Sequence, residues 1–301
     1  MSIRPVKRVV AATPHMEGAG VKLHRGFGFG DTSEFDPFLL FDDFRNERPD
    51  DYLAGFPWHP HRGIETITYV LAGTVAHGDS LGNRGTLGAG DVQWMTAGSG
   101  IMHQEMPQGD PQGRMHGFQL WANLPRALKM TAPRYQDILA KDIPEITDDD
   151  GTHVRVVVGE FWGKTGPVEG VAADPRYLDI SVAPNKTKRL AVDNSRHAFA
   201  YVFAGSGTFR DASKPLPVQT ELVGVSDDAT PSMLGNRSLV VFDSGDEITV
   251  TAGDEGIRFL LVSGRPLQEP VAWYGPIVMN ERSELQQAYA ELQNGTFIKH
   301  R

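Results

Sequence analysis

The chain states one short pattern twice. Residues 65–73 (ETITYVLAG) run an alternating apolar segment into a glycine turn, and residues 197–205 (HAFAYVFAG) have the same shape. Farther on, Gly90-Asp91 opens a segment followed by Gly98, and Gly245-Asp246 opens one followed by Gly253. Such self-similarity is the mark of a repeated structural unit. The second copy holds the longer insert between its two parts, and the polar, proline-bearing stretch 211–237 absorbs it as a loop. The remaining apolar segments, 154–158, 177–182, 239–242, 247–250 and 257–262, are short and soon followed by Gly, Pro, Asp or Asn. That is the pattern of sandwiches and barrels, not of alternating strands and helices. With 33 glycines and 20 prolines in 301 residues, turns are plentiful. The expectation is an all-β chain made of two units, residues 1–140 and 141–301.

The stretch 141–152, with Pro144 and the acidic run Asp148, Asp149 and Asp150, reads as the linker between them. One helix is expected near the end. Ser283 or Asn280 caps it, Gln286 pairs with Ser283 in a capping box, Gly295 stops it, and Leu285, Tyr289 and Leu292 form its buried stripe. A second helix over 122–130 is interrupted by Pro125.

Composition narrows the chemistry. The absence of cysteine excludes disulfides, thiolate nucleophiles, iron–sulfur clusters and thiolate-bound zinc, so a metal site must draw on His, Asp and Glu. A formal net charge of −9 argues against a general nucleic-acid surface. No run approaches the roughly 20 apolar residues of a bilayer span, and the first residues lack a signal-type apolar stretch. A cytoplasmic protein without membrane contact is expected.

His59 and His61 stand two apart, and in an extended chain such residues share a face. Pro60 favours that extended geometry. His103 and Glu105 repeat the spacing one motif later. Together the two pairs offer three neutral nitrogens and one carboxylate, a set suited to iron, manganese, nickel, cobalt or zinc. The repeat acts as an internal control: Ala191, Asp193, Arg258 and Leu260 occupy the corresponding positions of the second copy. A purely structural role would be retained in both copies, whereas these donors occur in one. Glu65 shares strand parity with His59 and His61, and is read either as a hydrogen-bond partner orienting their imidazoles or as an exposed strand glutamate. His116 is read as a cavity residue or as an ordinary core or surface histidine. Trp94 and Met95 are assigned to packing, and His24, His77 and His197 have no partner at useful spacing. The glycine-rich residues 26–30 precede no convincing helix and do not read as a phosphate cradle.

Residues 36–42 (DPFLLFD), 59–63 (HPHRG), 93–98 (QWMTAG), 100–103 (GIMH) and 275–280 (GPIVMN) resemble the pirin family of bicupins, across nearly the whole chain. The resemblance implies two cupin-type β-barrels packed face to face, with the metal in the amino-terminal one. It implies His59, His61, His103 and Glu105 as ligands of iron(II), and Glu65 as no ligand. It also implies quercetin 2,3-dioxygenase chemistry on a small aromatic, flavonol-like substrate with dioxygen. An open iron site suits such an enolic or catecholic substrate, with Glu105 as catalytic base as well as ligand where its coordination is labile. A second reading from the same family is a regulator that senses metal redox state and binds a transcription factor or metabolic enzyme, in the nucleus if the source is eukaryotic. A third is a non-redox isomerase or hydrolase, active with zinc and without oxygen.

Overall fold

A computed structural model describes residues 2–209 and 233–300. Most of the 211–237 insert therefore lies outside the described residues. The chain is predominantly β, as its alternation predicts, and divides into two compact units, each described here by itself.

The first unit comprises Met1–Ala11, Glu145–Thr165 and Arg176–Ser263. Its sheet runs in the order Val6–Ala11, Ser238–Phe242, His197–Phe209, Glu247–Gly264, Arg176–Val182, His153–Val158 and Glu145–Thr147. Val156, Leu178, Ile180, Val240 and Phe259 lie in its core. The segments 247–250 and 257–262, read as two strands, form one strand, Glu247–Gly264. Its first part pairs with Thr187–Ala191 and its last with Arg176–Val182. Gly256, at φ +80°, turns the corner between the two partners, a conformation that glycine takes without strain.

The second unit comprises Ala12–Pro144, Gly166–Pro175 and Gly264–Arg301. This division differs from a cut at residue 140. The first strand joins the carboxy-terminal unit because it pairs with Ser238–Phe242, while the terminal helix packs in the amino-terminal unit. The stretch read as a linker holds the edge strand Glu145–Thr147 and a turn, in which Asp148 Oδ1 accepts from the backbone N–H groups of Asp150 and Thr152.

Two large sheets build this unit, with the small hairpin of Ala272–Tyr274 and Ile277–Met279. One runs Arg134–Ile138, Val92–Thr96, Ile64–Ala72, His116–Asn123, Phe38–Asp43, Val21–Phe27 and Thr13–Glu17; the other runs Phe56–His61, Ile101–Gln108, Thr74–Asp79 and Arg84–Leu87. Val21, Leu23 and Val70 of the first meet Val75 and Leu87 of the second in one apolar cluster. The helix spans Arg282–Gln293, and Leu285, Tyr289 and Leu292 do pack against Ile277, Met279 and Phe297. Its cap is Glu281, in a box with Glu284, and not Ser283 or Asn280. Helical geometry begins one residue before Ser283, at Arg282, which leaves Glu281 in the cap position with its side chain accepting from the N3 amide. The region 122–130 gives only the 3₁₀ turn Arg126–Leu128 after Pro125.

Candidate metal centre

His59 and His61 come from the strand Phe56–His61, and His103 lies directly opposite His59 on Ile101–Gln108. The extended backbone and the antiparallel register bring the three imidazoles together, with ring centroids 4.4 to 4.9 Å apart and donor nitrogens all within 4.8 Å of one another. This is the only such group among the described residues.

Their protonation follows from their partners. His59 Nδ1 is 2.8 Å from the Pro57 carbonyl and His61 Nδ1 is 3.1 Å from the Pro276 carbonyl. A carbonyl only accepts, so each Nδ1 carries the proton and each Nε2 presents a lone pair. Those two Nε2 atoms face each other at 3.1 Å. Two neutral imidazoles with that tautomer have no proton to share, and a cation held between them would engage both lone pairs. The separation is that of two nitrogens bound to one ion at about 2.1 Å each. His103 supplies a third nitrogen, since both its ring nitrogens are buried without a hydrogen-bond partner. Burial, with the neighbouring histidines, holds His61 and His103 well below the usual imidazole range, and burial lowers His59 too. The cluster is therefore neutral at neutral pH, as ligation requires. The donor set fits a divalent transition metal.

Glu105 stands beside the triad rather than within it. Its Oε2 lies 4.0 Å from His103 Nε2, while Oε1 accepts from Thr68 Oγ1 at 3.0 Å. Burial raises its carboxyl to about 7, with the Thr68 bond opposing.

Glu65 departs from both readings of it. Parity carries from His59 to His61 only while the strand continues, and Arg62-Gly63 breaks it: Gly63 takes φ +77° in the turn. The next strand starts afresh, so Thr68 faces Glu105 while Glu65 points the other way. Glu65 is buried, not exposed, and accepts from Thr96 Oγ1 at 2.7 Å. His116 packs edge-on against Phe118 and does not line the cavity described below. In the second copy Arg258 forms a bidentate pair with Asp179 and Leu260 is core.

The triad opens into a cavity of about 830 Å³. His59, His61 and Glu105 line it together with Trp58, Trp121 and Trp273. Trp121 meets the His61 ring edge-on at 5.1 Å. Periodicity gave no sign of several residues that complete this region. Gln119 and Thr68 are joined to Glu105 only through cross-strand register. His77 lies opposite Glu105 and stacks on Tyr135 at 5.9 Å, in space that glycine at position 85 leaves for its ring. Pro276 is 215 residues from His61, and its only sequence signal is the residue 275–280 string.

Comparison with known proteins finds relatives along nearly the whole chain. The pirin family profile matches residues 20–122, and the profile of the pirin C-terminal cupin domain matches residues 177–298. A pirin-like protein of Caulobacter vibrioides is 42% identical over 298 residues, covering 99% of this chain and all of that protein. Human pirin is 35% identical over 295 residues, covering 97% and 93%. The crystal structure of a quercetin 2,3-dioxygenase from Acinetobacter baumannii superposes with a TM-score of 0.84 at 31% identity, covering 98% of this chain and 99% of that one.

Proposed function

The chain belongs to the pirin family, with two cupin-type domains, and on that premise we propose that it is an iron(II)-dependent dioxygenase of flavonol-like aromatics. His59, His61, His103 and Glu105 are the proposed ligands. The observation that carries the reading is the facing pair of Nε2 lone pairs at 3.1 Å, opening into an aromatic-walled cavity with a carboxylate on its edge. Iron(II) held there supplies Lewis acidity toward an enolic oxygen and the one-electron chemistry through which dioxygen reacts.

The chain's own residues do the rest. Trp58, Trp121 and Trp273 present flat apolar faces that stack a planar ring system and keep water from it. Glu105, held by Thr68 through Oε1, presents Oε2 to take the proton of an enolic hydroxyl. The carbonyls of Pro57 and Pro276 lock the imidazole tautomers. The dioxygenase named above, at 31% identity, supports this reading.

The test is dioxygen uptake by anaerobically iron-loaded protein on adding quercetin, with His61→Ala as the metal-free control and manganese-, nickel-, cobalt- and zinc-loaded samples alongside. Uptake matched by flavonol loss, and absent in the control, is the expected result. No uptake from fully loaded protein refutes the reading. Glu105→Gln is expected to lower turnover more than metal content; equal loss of both would reduce Glu105 to a ligand.

A further inference from the structure

A single row of polar side chains crosses the inner face of the sheet from Glu105 to the rim of the cavity. Thr68 lies opposite Gln119, Gln119 opposite Asp42, and Asp42 opposite Arg25, each on the next strand. Arg25 donates through Nε and Nη2 to both oxygens of Asp42, at 2.8 and 2.7 Å, and its Nη1 pairs with Glu17 Oε1 at 2.9 Å. Glu17, Arg25, Asp42 and Gln119 all line the cavity that holds the histidines.

The Thr68 hydroxyl lies 3.0 Å from Glu105 Oε1 and 2.8 Å from Gln119 Oε1. With its Oε1 on Thr68, Gln119 keeps its NH₂ as a donor for a further partner. At the far end one guanidinium meets two carboxylates, so the group carries a net negative charge and Arg25 has no free charge for an anion. Gln119 is left with a donor and Glu17 with an acceptor, the pair a neutral hydroxyl can use. Strands lie about 4.8 Å apart, so Gln119 and Arg25 are separated by about 10 Å across the sheet.

We propose that the cavity end formed by Gln119, Asp42, Arg25 and Glu17 is a second binding subsite, which reads neutral hydroxyl groups on the part of a ligand remote from the histidines and rejects an anion there. The subsite rests on the flavonol-type reading above and adds its selectivity. The Arg25–Glu17 end lies about 10 Å farther across the sheet than Gln119, so engaging the whole subsite takes a ligand longer than a single ring.

Tryptophan fluorescence reads binding without turnover, because Trp58, Trp121 and Trp273 line the cavity. Iron-loaded protein is titrated anaerobically with galangin, which has no hydroxyl on its pendant ring, with kaempferol, which has one, and with a flavonol bearing a carboxylate there. Kaempferol is expected to bind at least fivefold tighter than galangin, and the carboxylate at least tenfold weaker. Gln119→Leu is expected to erase the preference for kaempferol, and Glu17→Gln to bring the carboxylate within about threefold of galangin. Equal affinities in the unaltered protein, or preferences that both variants retain, overturn the subsite. Hydroxyl-dependent binding without dioxygen uptake leaves the subsite standing and removes the dioxygenase reading. Failure of every flavonol to bind removes both.

Discussion

Replacing Arg62 with methionine tests how the terminal segment is held in its unit. The guanidinium is almost fully buried, at 2% exposure. Its Nε donates to the Ser99 carbonyl at 2.7 Å, and its Nη2 donates to the Phe297 carbonyl at 2.9 Å and pairs with Glu291 at 2.8 Å. It also lies 4.2 Å over the Phe297 ring. Methionine keeps most of the apolar stem and removes all of these. Two buried carbonyls left without a donor cost roughly 1 to 1.5 kcal/mol each, and the lost cation–π contact costs about 1 kcal/mol. Orphaning a buried charge costs about 3 to 5 kcal/mol. Glu291, however, keeps Lys299 at 2.9 Å and Gln287 at 3.0 Å, so its share falls to about 1 kcal/mol on the scale of partly exposed pairs. The total is about 4 kcal/mol, or roughly 8 to 16 °C in melting temperature for a unit of this size. Urea unfolding of the metal-free protein measures it. Exchange at the Val278 amide, which donates to the Arg62 carbonyl, localises it. A loss below about 1 kcal/mol would refute the guanidinium as the anchor of the terminal segment.

Gly63→Ala places a Cβ 1.9 Å from the Val278 carbonyl oxygen at φ +77°, so a loss of at least about 3 kcal/mol is expected, with reduced metal stoichiometry; calorimetry and metal analysis check both. Calorimetry of zinc binding in buffers of different ionisation enthalpy should find about half a proton released at pH 7 and none above pH 8, because the histidines are neutral there and Glu105 sits near 7. Glu105→Gln should release none, and release of three protons at pH 6 would show the imidazoles to be charged. Burial pulls Lys129 down to about 7, against Glu269 and Glu284, from 10.5 in a free side chain. Between those values the unfolded chain holds a proton that the folded chain has released, so stability rises with pH. Lys129→Met should lower stability at pH 7, where Gly63 and Val278 lose their donor, and flatten that rise in urea titrations; a slope unchanged by the substitution would place its origin elsewhere.

The triad was legible because its logic is local. Two residues apart in an extended chain share a face, and the second copy of the repeat shows what the same scaffold looks like without donors. Legibility ended where the chain changed partner or direction. Parity counting carried Glu65 to the wrong face because one glycine in the left-handed region resets it. Thr68, Gln119 and His77 belong to the site through register between strands, a property of pairing that one strand's periodicity does not encode. Likewise 247–250 and 257–262 read as separate strands because two glycines lie between them, and the continuity comes from pairing on either side of the bend. The helix cap shifted to Glu281 because helix ends respond to tertiary packing as well as to local composition.

The Pro276 carbonyl that fixes His61 lies 215 residues downstream of it, and the Val278 carbonyl packs against Gly63 in the turn that follows that histidine. A chain grows from its amino end. His59, His61 and His103 therefore leave the ribosome long before the acceptor that sets the His61 tautomer exists, and a chain interrupted before residue 276 carries all three imidazoles without their final arrangement. The arrangement of the three imidazoles is finished by a segment made 173 residues after His103, so it is one that only the folded second unit can acquire.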